Sequence, residues 1–426
     1  MTPEIKQRIA QIQRGEVPKG YKKCSVGIRP SEWNCQRLKE ICIINPPRTK
    51  TESEKTTFLG MSDVDESGHI LCQNLIDTNQ VKEGLTPFEK GDILVAKITP
   101  CFENGKGANT KELCTQTGVG STEFHVLRSE INADFIFYHT ISKTFRSKLE
   151  REMTGSAGQK RVQTDSLANY EIAVPCIQEQ QKIAAILMTQ DKIIELKEKL
   201  LAEKQQQKKY LMQQLLTGKK RLPGFSGEWK EQPLWKISKK QKNKNTGFQY
   251  SFVLSNSAIH GIVSQDQEFD KEVVNEERVD SYYIVEPGAF VYNPRISVMA
   301  PCGPINVNET GKTGITSPLY TVFTISSLEV STKFLKYYFQ SSCWYKYVKD
   351  VANYGARHDR MSISDKDFFN MPIALPLKEE QIAIADVLST ADHEMELLRQ
   401  DIEQEKQKKK ALMQLLLTGI VRAYNE

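Results

Sequence analysis

Two short polar runs in this chain have the residue types that grip a phosphate or a base edge. Gln159, Lys160 and Arg161 form a basic loop, and Arg357, His358 and Arg360 stand at a matching place further along. Ammonium and guanidinium groups donate to phosphate oxygens, and guanidinium and amide forks match base edges. Tyr292, Asn293 and Arg295 are a third candidate, since Asn and Arg can make bidentate contacts to adenine and guanine. Lys97, Asn104 and Lys106 occupy the corresponding loop nearer the N-terminus. Each group has a plainer alternative. A basic loop can simply face solvent, and Asn293-Pro294 also spells a structural turn. Trp33 and Trp229 each sit in an apolar pattern, which favours core anchors over base stackers.

Complete catalytic motifs are missing. There is no GxxxxGK[ST] phosphate loop, no GxGxxG, no GxSxG elbow and no HExxH. Asn45-Pro46-Pro47-Arg48 looks like the Asn/Asp-Pro-Pro-aromatic motif of adenine methyltransferases, but Arg48 stands where an aromatic would stack on a flipped base. A turn stiffened by two prolines is the simpler reading. The nine cysteines are scattered, with no CxxC pair and no Cys/His cluster of zinc-ligand spacing. The expectation is a chain with no catalytic residue, no metal and no cofactor of its own.

The elements that must position these loops are set by a repeat. Residues 175–218 recur at 376–419 without a gap, and 20 of the 44 aligned pairs are identical, against about 3 expected by chance. Such similarity means a duplicated structural unit. Pro175 and Pro376 precede the two copies, and Gly218 and Gly419 stand where a helix would stop. Each copy reads as a helix of roughly 60 Å. A stripe of period seven runs through Leu187, Ile194, Leu201, Lys208 and Leu215, and its counterpart through Leu388, Met395, Ile402, Lys409 and Leu416. Heptad spacing on helices of equal length predicts a coiled coil, and the apolar members of both stripes are expected to be partner-binding positions. Two unrelated amphipathic helices, each packed on its own domain, are the alternative.

The repetition extends into the flanks. Glu32-Trp33-x-x-Gln36-x-Leu38-x-x-Ile41 matches Glu228-Trp229-x-x-Gln232-x-Leu234-x-x-Ile237, and Gly118-x-x-Ser121-x-x-Phe124-x-Val126 matches Gly314-x-x-Ser317-x-x-Tyr320-x-Val322. Gln11-Ile12-x-x-Gly15 echoes Gln214-Leu215-x-x-Gly218. Residues 45–115 and 240–310 share little sequence. Strand-like runs at 91–98 and 288–292 and helical patterns at 132–150 and 331–349 make each unit a mixed α+β domain. The expected organisation is an N-terminal helix at 1–19, a first domain at 20–175, a central helical spacer at 176–221, a second domain at 222–375 and a C-terminal helical spacer at 376–426. The net charge of +5 permits an anionic partner without indicating one. No run of 18 apolar residues and no apolar signal region appear, so a soluble cytoplasmic protein without a membrane partner is expected.

Two divergent units separated by a repeated helix, with PxxxEQ at its start and LMQxLLTG at its end, resemble the specificity subunit of type I restriction–modification systems. Gly120-Ser121-Thr122-Glu123-Phe124 with Val126-Leu127-Arg128, Gly158-Gln159-Lys160-Arg161-Val162, and Val291-Tyr292-Asn293-Pro294-Arg295-Ile296 agree with that family. The second unit departs from it at Ser317-Pro318-Leu319-Tyr320 and at Ala356-Arg357-His358-Asp359-Arg360. The resemblance implies an α+β fold in which two similar target recognition domains are separated by two long antiparallel coiled-coil helices in a pseudo-twofold internal repeat. It implies that each domain reads one half of a bipartite sequence in double-stranded DNA, with the helices setting the spacing. It also implies two methyltransferase subunits holding S-adenosylmethionine, and restriction subunits using ATP, as partners. A specificity subunit of a related restriction or methylation system, or a coiled-coil adaptor that binds no DNA, stay open. An autonomous methyltransferase is disfavoured by the missing cofactor loop.

Overall fold

A computed structural model describes residues 2–49, 53–156, 158–265, 276–354 and 359–423. The chain divides into two compact units, residues 1–198 with 401–426 and residues 199–400. Each unit therefore holds one half of the central helix, Ile177–Leu215, and the opposite half of the C-terminal helix, Lys378–Leu417.

The first unit is built on a four-stranded sheet in the order Cys42–Ile44, Phe124–Ser129, Ile93–Ala96, Gly107–Asn109, antiparallel throughout. The second unit repeats it as Ser238–Lys240, Thr321–Ile325, Phe290–Tyr292, Ile305–Val307. The registers coincide: Cys42 lies opposite Ser129 as Ser238 lies opposite Ile325, and Ile93 opposite Leu127 as Phe290 opposite Phe323. The inner strands of the first unit are buried on both faces, as the unbroken run Ile93-Leu94-Val95-Ala96 requires. So the fold is conserved even across stretches where the two sequences have diverged.

What is added differs. The first unit carries a second four-stranded sheet, Asn74–Asp77, Lys55–Leu59, Thr117–Gly120, Thr86–Glu89. At that place the second unit has the pair Tyr283–Val285 with Gly314–Thr316, and a hairpin of Leu254–Ser257 with Gly261–Ser264. The helical patterns resolve into two short helices in each unit, Ala133–Thr140 and Lys143–Glu150, and Thr332–Gln340 and Tyr345–Val351. In the first unit the break falls at Ser142, whose side chain caps the following helix.

The repeated helix motif is explained by its contacts. In the first unit the carboxylate of Glu179, fully buried, accepts from the Arg422 guanidinium, from Trp33 Nε1 and from the Ala423 amide. In the second unit the equally buried Glu380 accepts a fork from Arg221 at 2.5 and 2.6 Å. Gln180 donates to the Pro175 carbonyl and accepts from the Asn132 amide; Gln381 does the same with Pro376 and Ser331. The Pro-x-x-x-Glu-Gln pattern thus spells a joint that ties the helix start to its own domain. The motif's far end closes on a left-handed glycine, Gly218 and Gly419 and likewise Gly15, where the tight turn needs a residue without Cβ.

The lysine breaks in the heptad stripe fill a second repeated joint. Lys409 pairs with Asp191, which accepts from the Tyr138 hydroxyl at 2.8 Å. Lys208 pairs with Asp392, which accepts from the Tyr337 hydroxyl at 2.9 Å. Together with Lys197–Glu405 in the first unit and Lys204–Glu394 in the second, these pairs run the helix halves antiparallel within each unit. The apolar stripe is consumed by this packing. Leu187, Ile194, Ile402 and Leu416 are buried in the first unit, and Leu215, Leu388 and Met395 in the second, with Leu201 half-buried. The expectation that these eight residues bind a partner is therefore corrected: they hold the chain to itself. Among the described residues no helix is long and apolar enough to cross a membrane.

Candidate nucleic-acid interface

In both units the two candidate loops meet at one end of the four-stranded sheet. Where strand Ile93–Ala96 ends, the Lys97 amide donates to the Glu123 carbonyl and its own carbonyl accepts from the Val162 amide at 2.9 Å. The Thr99 amide donates to the Lys160 carbonyl, and Ile98 bridges Arg161. The segment 154–161 folds back on itself through reciprocal bonds between Thr154 and Arg161. In the second unit Arg295 bridges Arg360, the Met361 amide donates to the Pro294 carbonyl and the Ile296 amide to the Asp359 carbonyl.

The individual side chains divide. In the first unit Gln159, Lys160 and Asn104 are exposed, and none makes a side-chain hydrogen bond or ion pair with the described residues. Lys97 is half-buried. Lys106 donates to the Met61 carbonyl at 2.9 Å, so its ammonium is spent inside the domain. Arg161 is held by both oxygens of Glu123, at 2.9 and 3.0 Å, and this pair keeps the Glu123 carboxyl below its ordinary range. Arg161 thus braces the loop that presents Gln159 and Lys160. His125, buried in the same sheet, donates from Nε2 to the Val162 carbonyl and braces the loop from beneath. Burial pulls its pKa down.

In the second unit Arg295 and Arg360 are exposed, and neither forms an ion pair with the described residues. Tyr292 and Asn293 correct the expectation. Tyr292 is 2% exposed, stacks on Phe368 and donates its hydroxyl to the Cys302 carbonyl. Asn293 donates to the Asn256 carbonyl and accepts from the Arg295 amide. It belongs to a largely buried asparagine cluster in which Asn256 donates to Val291 and Pro304 carbonyls and the half-buried Asn306 donates to Asn256. That cluster locks the hairpin 254–264 to the sheet below the Arg295 loop. Arg357 and His358 lie outside the described residues.

The departures in the second unit are coupled. Where the first unit pairs Glu123 with Arg161, the second has Leu319 in the matching motif position, and Arg360 forms no ion pair with the described residues. Three exposed lysines escaped the sequence reading: Lys239, Lys242 and Lys244 run along and beyond the edge strand Ser238–Lys240. Gln241 still pairs with Val322, which puts Lys242 at the sheet end from which Arg295 emerges. The alternating lysines of 239–244 were the available signal. At the equivalent place in the first unit Asn45 takes a left-handed φ of 50° and accepts from the Val126 amide. Asn45 bends the chain there, and residues 46–49 follow without regular secondary structure.

Exposed apolar residues recur on the helices at the repeat's own spacing. Ile186 and Leu196 are 40% and 53% exposed in the first unit, and Val387 and Leu397 are 36% and 51% exposed in the second. Among the described residues no group of three or more His, Cys, Asp or Glu could hold a metal ion. Trp33 is a core anchor, as expected; Trp229 is half-buried against Phe334, with its Nε1 unpartnered.

Comparison with known proteins finds similar sequences and a similar fold. Residues 30–205 match the type I restriction modification DNA specificity domain. The Escherichia coli type I restriction enzyme EcoEI specificity subunit is 41% identical over 161 residues, 36% of this chain and 27% of that protein. The EcoAI specificity subunit of the same organism is 39% identical over a similar stretch, again 27% of its length. The matched region thus spans about a quarter of each of these relatives. A Methanocaldococcus jannaschii protein provisionally named the type I restriction enzyme MjaX specificity subunit is 24% identical over 94% of this chain and 96% of its own length. A chain from a solved structure of a type I R-M system shares the fold at a TM-score of 0.58, with 19% identity, over 92% of this chain and 99% of that one.

Proposed function

We propose, from its similarity to type I restriction–modification specificity subunits, that this chain is the DNA-reading subunit of such a complex, each unit reading one half of a bipartite sequence. The observation that carries the reading is the contrast within the repeat. The joints, Glu179–Arg422 and Glu380–Arg221, Tyr138–Asp191–Lys409 and Tyr337–Asp392–Lys208, are the same in both units. The exposed side chains at the sheet ends are not. A constant frame with different reading ends is what two different half-sites require, because base edges are matched by side chains placed case by case.

The cationic ends supply the affinity. Lys160 in the first unit, and Lys239, Lys242, Lys244, Arg295 and Arg360 in the second, are positioned to neutralise phosphates or reach base edges. The helices set the spacing between half-sites. Two equivalent apolar patches, Ile186 with Leu196 and Val387 with Leu397, fit two copies of one partner, which the family suggests is the methyltransferase subunit. S-adenosylmethionine, ATP and all bond-making chemistry then belong to partner subunits, and this chain contributes recognition alone.

The test uses purified chain, labelled S-adenosylmethionine and DNA. No transfer is expected until a methyltransferase subunit is added; transfer by the chain alone would overturn the reading. The spacing claim is tested by inserting four residues within 202–207, which adds about 6 Å of helix. The preferred spacer should lengthen by about two base pairs with both half-sequences kept. An unchanged spacer in a folded, DNA-binding variant would leave the helices as docking elements only.

A further inference from the structure

The loop that follows Arg295 carries two apolar side chains that the fold does not use. Val298 is 96% exposed and Met299 68%. They sit at the tip of a tight turn, closed by the Ser297 amide on the Ala300 carbonyl and by the Ala300 amide on both the carbonyl and the hydroxyl of Ser297. The turn is firmly based. The Tyr292 hydroxyl holds the Cys302 carbonyl, the Asn293 amide holds Pro304, and the asparagine cluster lies beneath. The matching loop of the first unit does the opposite with its apolar residue: Phe102 is fully buried. Exposure at 298–299 is therefore a property of the second unit, not a demand of the shared fold.

The surroundings of this tip are cationic. Arg295 and Arg360 flank its base without an ion pair to the described residues, and Lys242 leaves the same end of the sheet. An exposed apolar tip beside cations that form no ion pair with the described residues matches a surface that is anionic outside and apolar at selected points within. The DNA major groove offers that combination, since phosphates line its rims and the thymine 5-methyl is the one apolar group on its base edges. We infer that Val298 and Met299 contact a thymine 5-methyl group, beside the bases that Arg295 and Arg360 address, and so fix one position of the half-site read by the second unit. This rests on the DNA-reading function proposed above and adds the base class and the residues that select it.

The test uses the full chain with its methyltransferase partner, and duplexes carrying the sequence found by methylation mapping. Thymines of each half-site are replaced one at a time by uracil, which lacks only the methyl. Uracil at one position of the second unit's half-site should weaken wild-type binding about fourfold, the factor for burying one methyl group. The double variant Val298→Ser, Met299→Ser should bind the thymine duplex about as weakly as wild type binds the uracil one, and should no longer distinguish them. Being exposed, both positions should tolerate the change without loss of thermal stability, and the first unit's half-site should be read unchanged. The inference is overturned if the variant discriminates thymine from uracil as wild type does, or if no position in that half-site responds to uracil. It is equally overturned if 2-aminopurine in the half-site brightens with wild type but not with the variant, since the tip would then be unstacking bases as a wedge. Wild type that does not prefer the mapped duplex over a scrambled one would instead refute the underlying DNA-reading function.

Discussion

The two units solve the same positioning problem with opposite economies of charge. In the first, Arg161 is tied to Glu123 and His125 to the Val162 carbonyl, so the loop is braced while Gln159 and Lys160 project. In the second, Leu319 and Thr321 stand at the matching positions, and the bracing passes to the buried asparagines Asn256 and Asn293 and the half-buried Asn306. Arg295 and Arg360 are left free of ion pairs with the described residues. A repeat preserved for its frame can therefore exchange the side chains that brace a loop and, with them, the charges the loop presents.

The largest effects should come from the shared frame. Glu179→Ala leaves Trp33 Nε1 and the Ala423 amide without their acceptor and the Arg422 guanidinium with Glu32 alone, and should cost about 3 kcal/mol, the upper end for stranding a buried donor. Glu380→Ala should cost less, because Trp229 Nε1 makes no bond there to lose. Urea unfolding can separate the two, since Trp33 is the one tryptophan outside residues 199–400 and reports its own unit. Equal costs would mean that the tryptophan bond contributes nothing.

Next come the reading ends. Arg360→Ala should weaken DNA binding by about 1–3 kcal/mol without changing hydrogen exchange in its unit. Arg161→Ala should act through its loop, with faster exchange across 154–162 accompanying any loss of affinity. If Arg161→Ala weakens binding while exchange stays slow, Arg161 touches DNA and the proposed division between the units fails.

How much of this was legible in sequence follows from separation along the chain. The repeat, the strands at 93–96 and 290–292 and the helices near 133–150 and 332–351 are local patterns, and the sequence announces them. The Glu123–Arg161 brace joins residues 38 apart and has no local signature. Tyr292 and Asn293 misled for a related reason: the strand Phe290–Tyr292 is three residues long, too short for alternation to show which face looks inward. The heptad stripe was real, but a stripe cannot say whether it packs on its own chain or on another. The Lys239–Lys244 run was visible and became meaningful only once its edge strand was placed beside Thr321 and Tyr292.

Smaller effects should test the symmetry of the frame. Tyr138→Phe and Tyr337→Phe each remove one hydroxyl donor to an aspartate, and each should cost about 1 kcal/mol. A difference well beyond that, by the same urea titration, would show that the two joints are not equivalent.

The smallest should be a difference in acid sensitivity. His125 and His139 of the first unit are buried neutral, with burial pulling both below the ordinary histidine range, His139 to about 3. The unfolded chain then binds more protons below about pH 6.5, so stability falls as pH drops from there toward the folded values. His69, raised by its bond to Asp65, acts in the opposite sense and offsets part of the loss. The second unit's described histidines, His260 and His393, are both outside its buried core. Between pH 6.5 and 5.5 the first unit should lose at most about 1 kcal/mol per buried histidine, and the second less. Hydrogen exchange at the two pH values, corrected for intrinsic rates, would show it.

The central claim is that the two units read DNA independently on a common frame. Its most direct test exchanges residues 20–175 for the same unit of a relative with a different specificity, followed by methylation mapping of a host genome carrying the chimera. One half of the methylated sequence should change and the other half, with the spacer, should remain. A map in which both halves change, or neither does, would contradict the account.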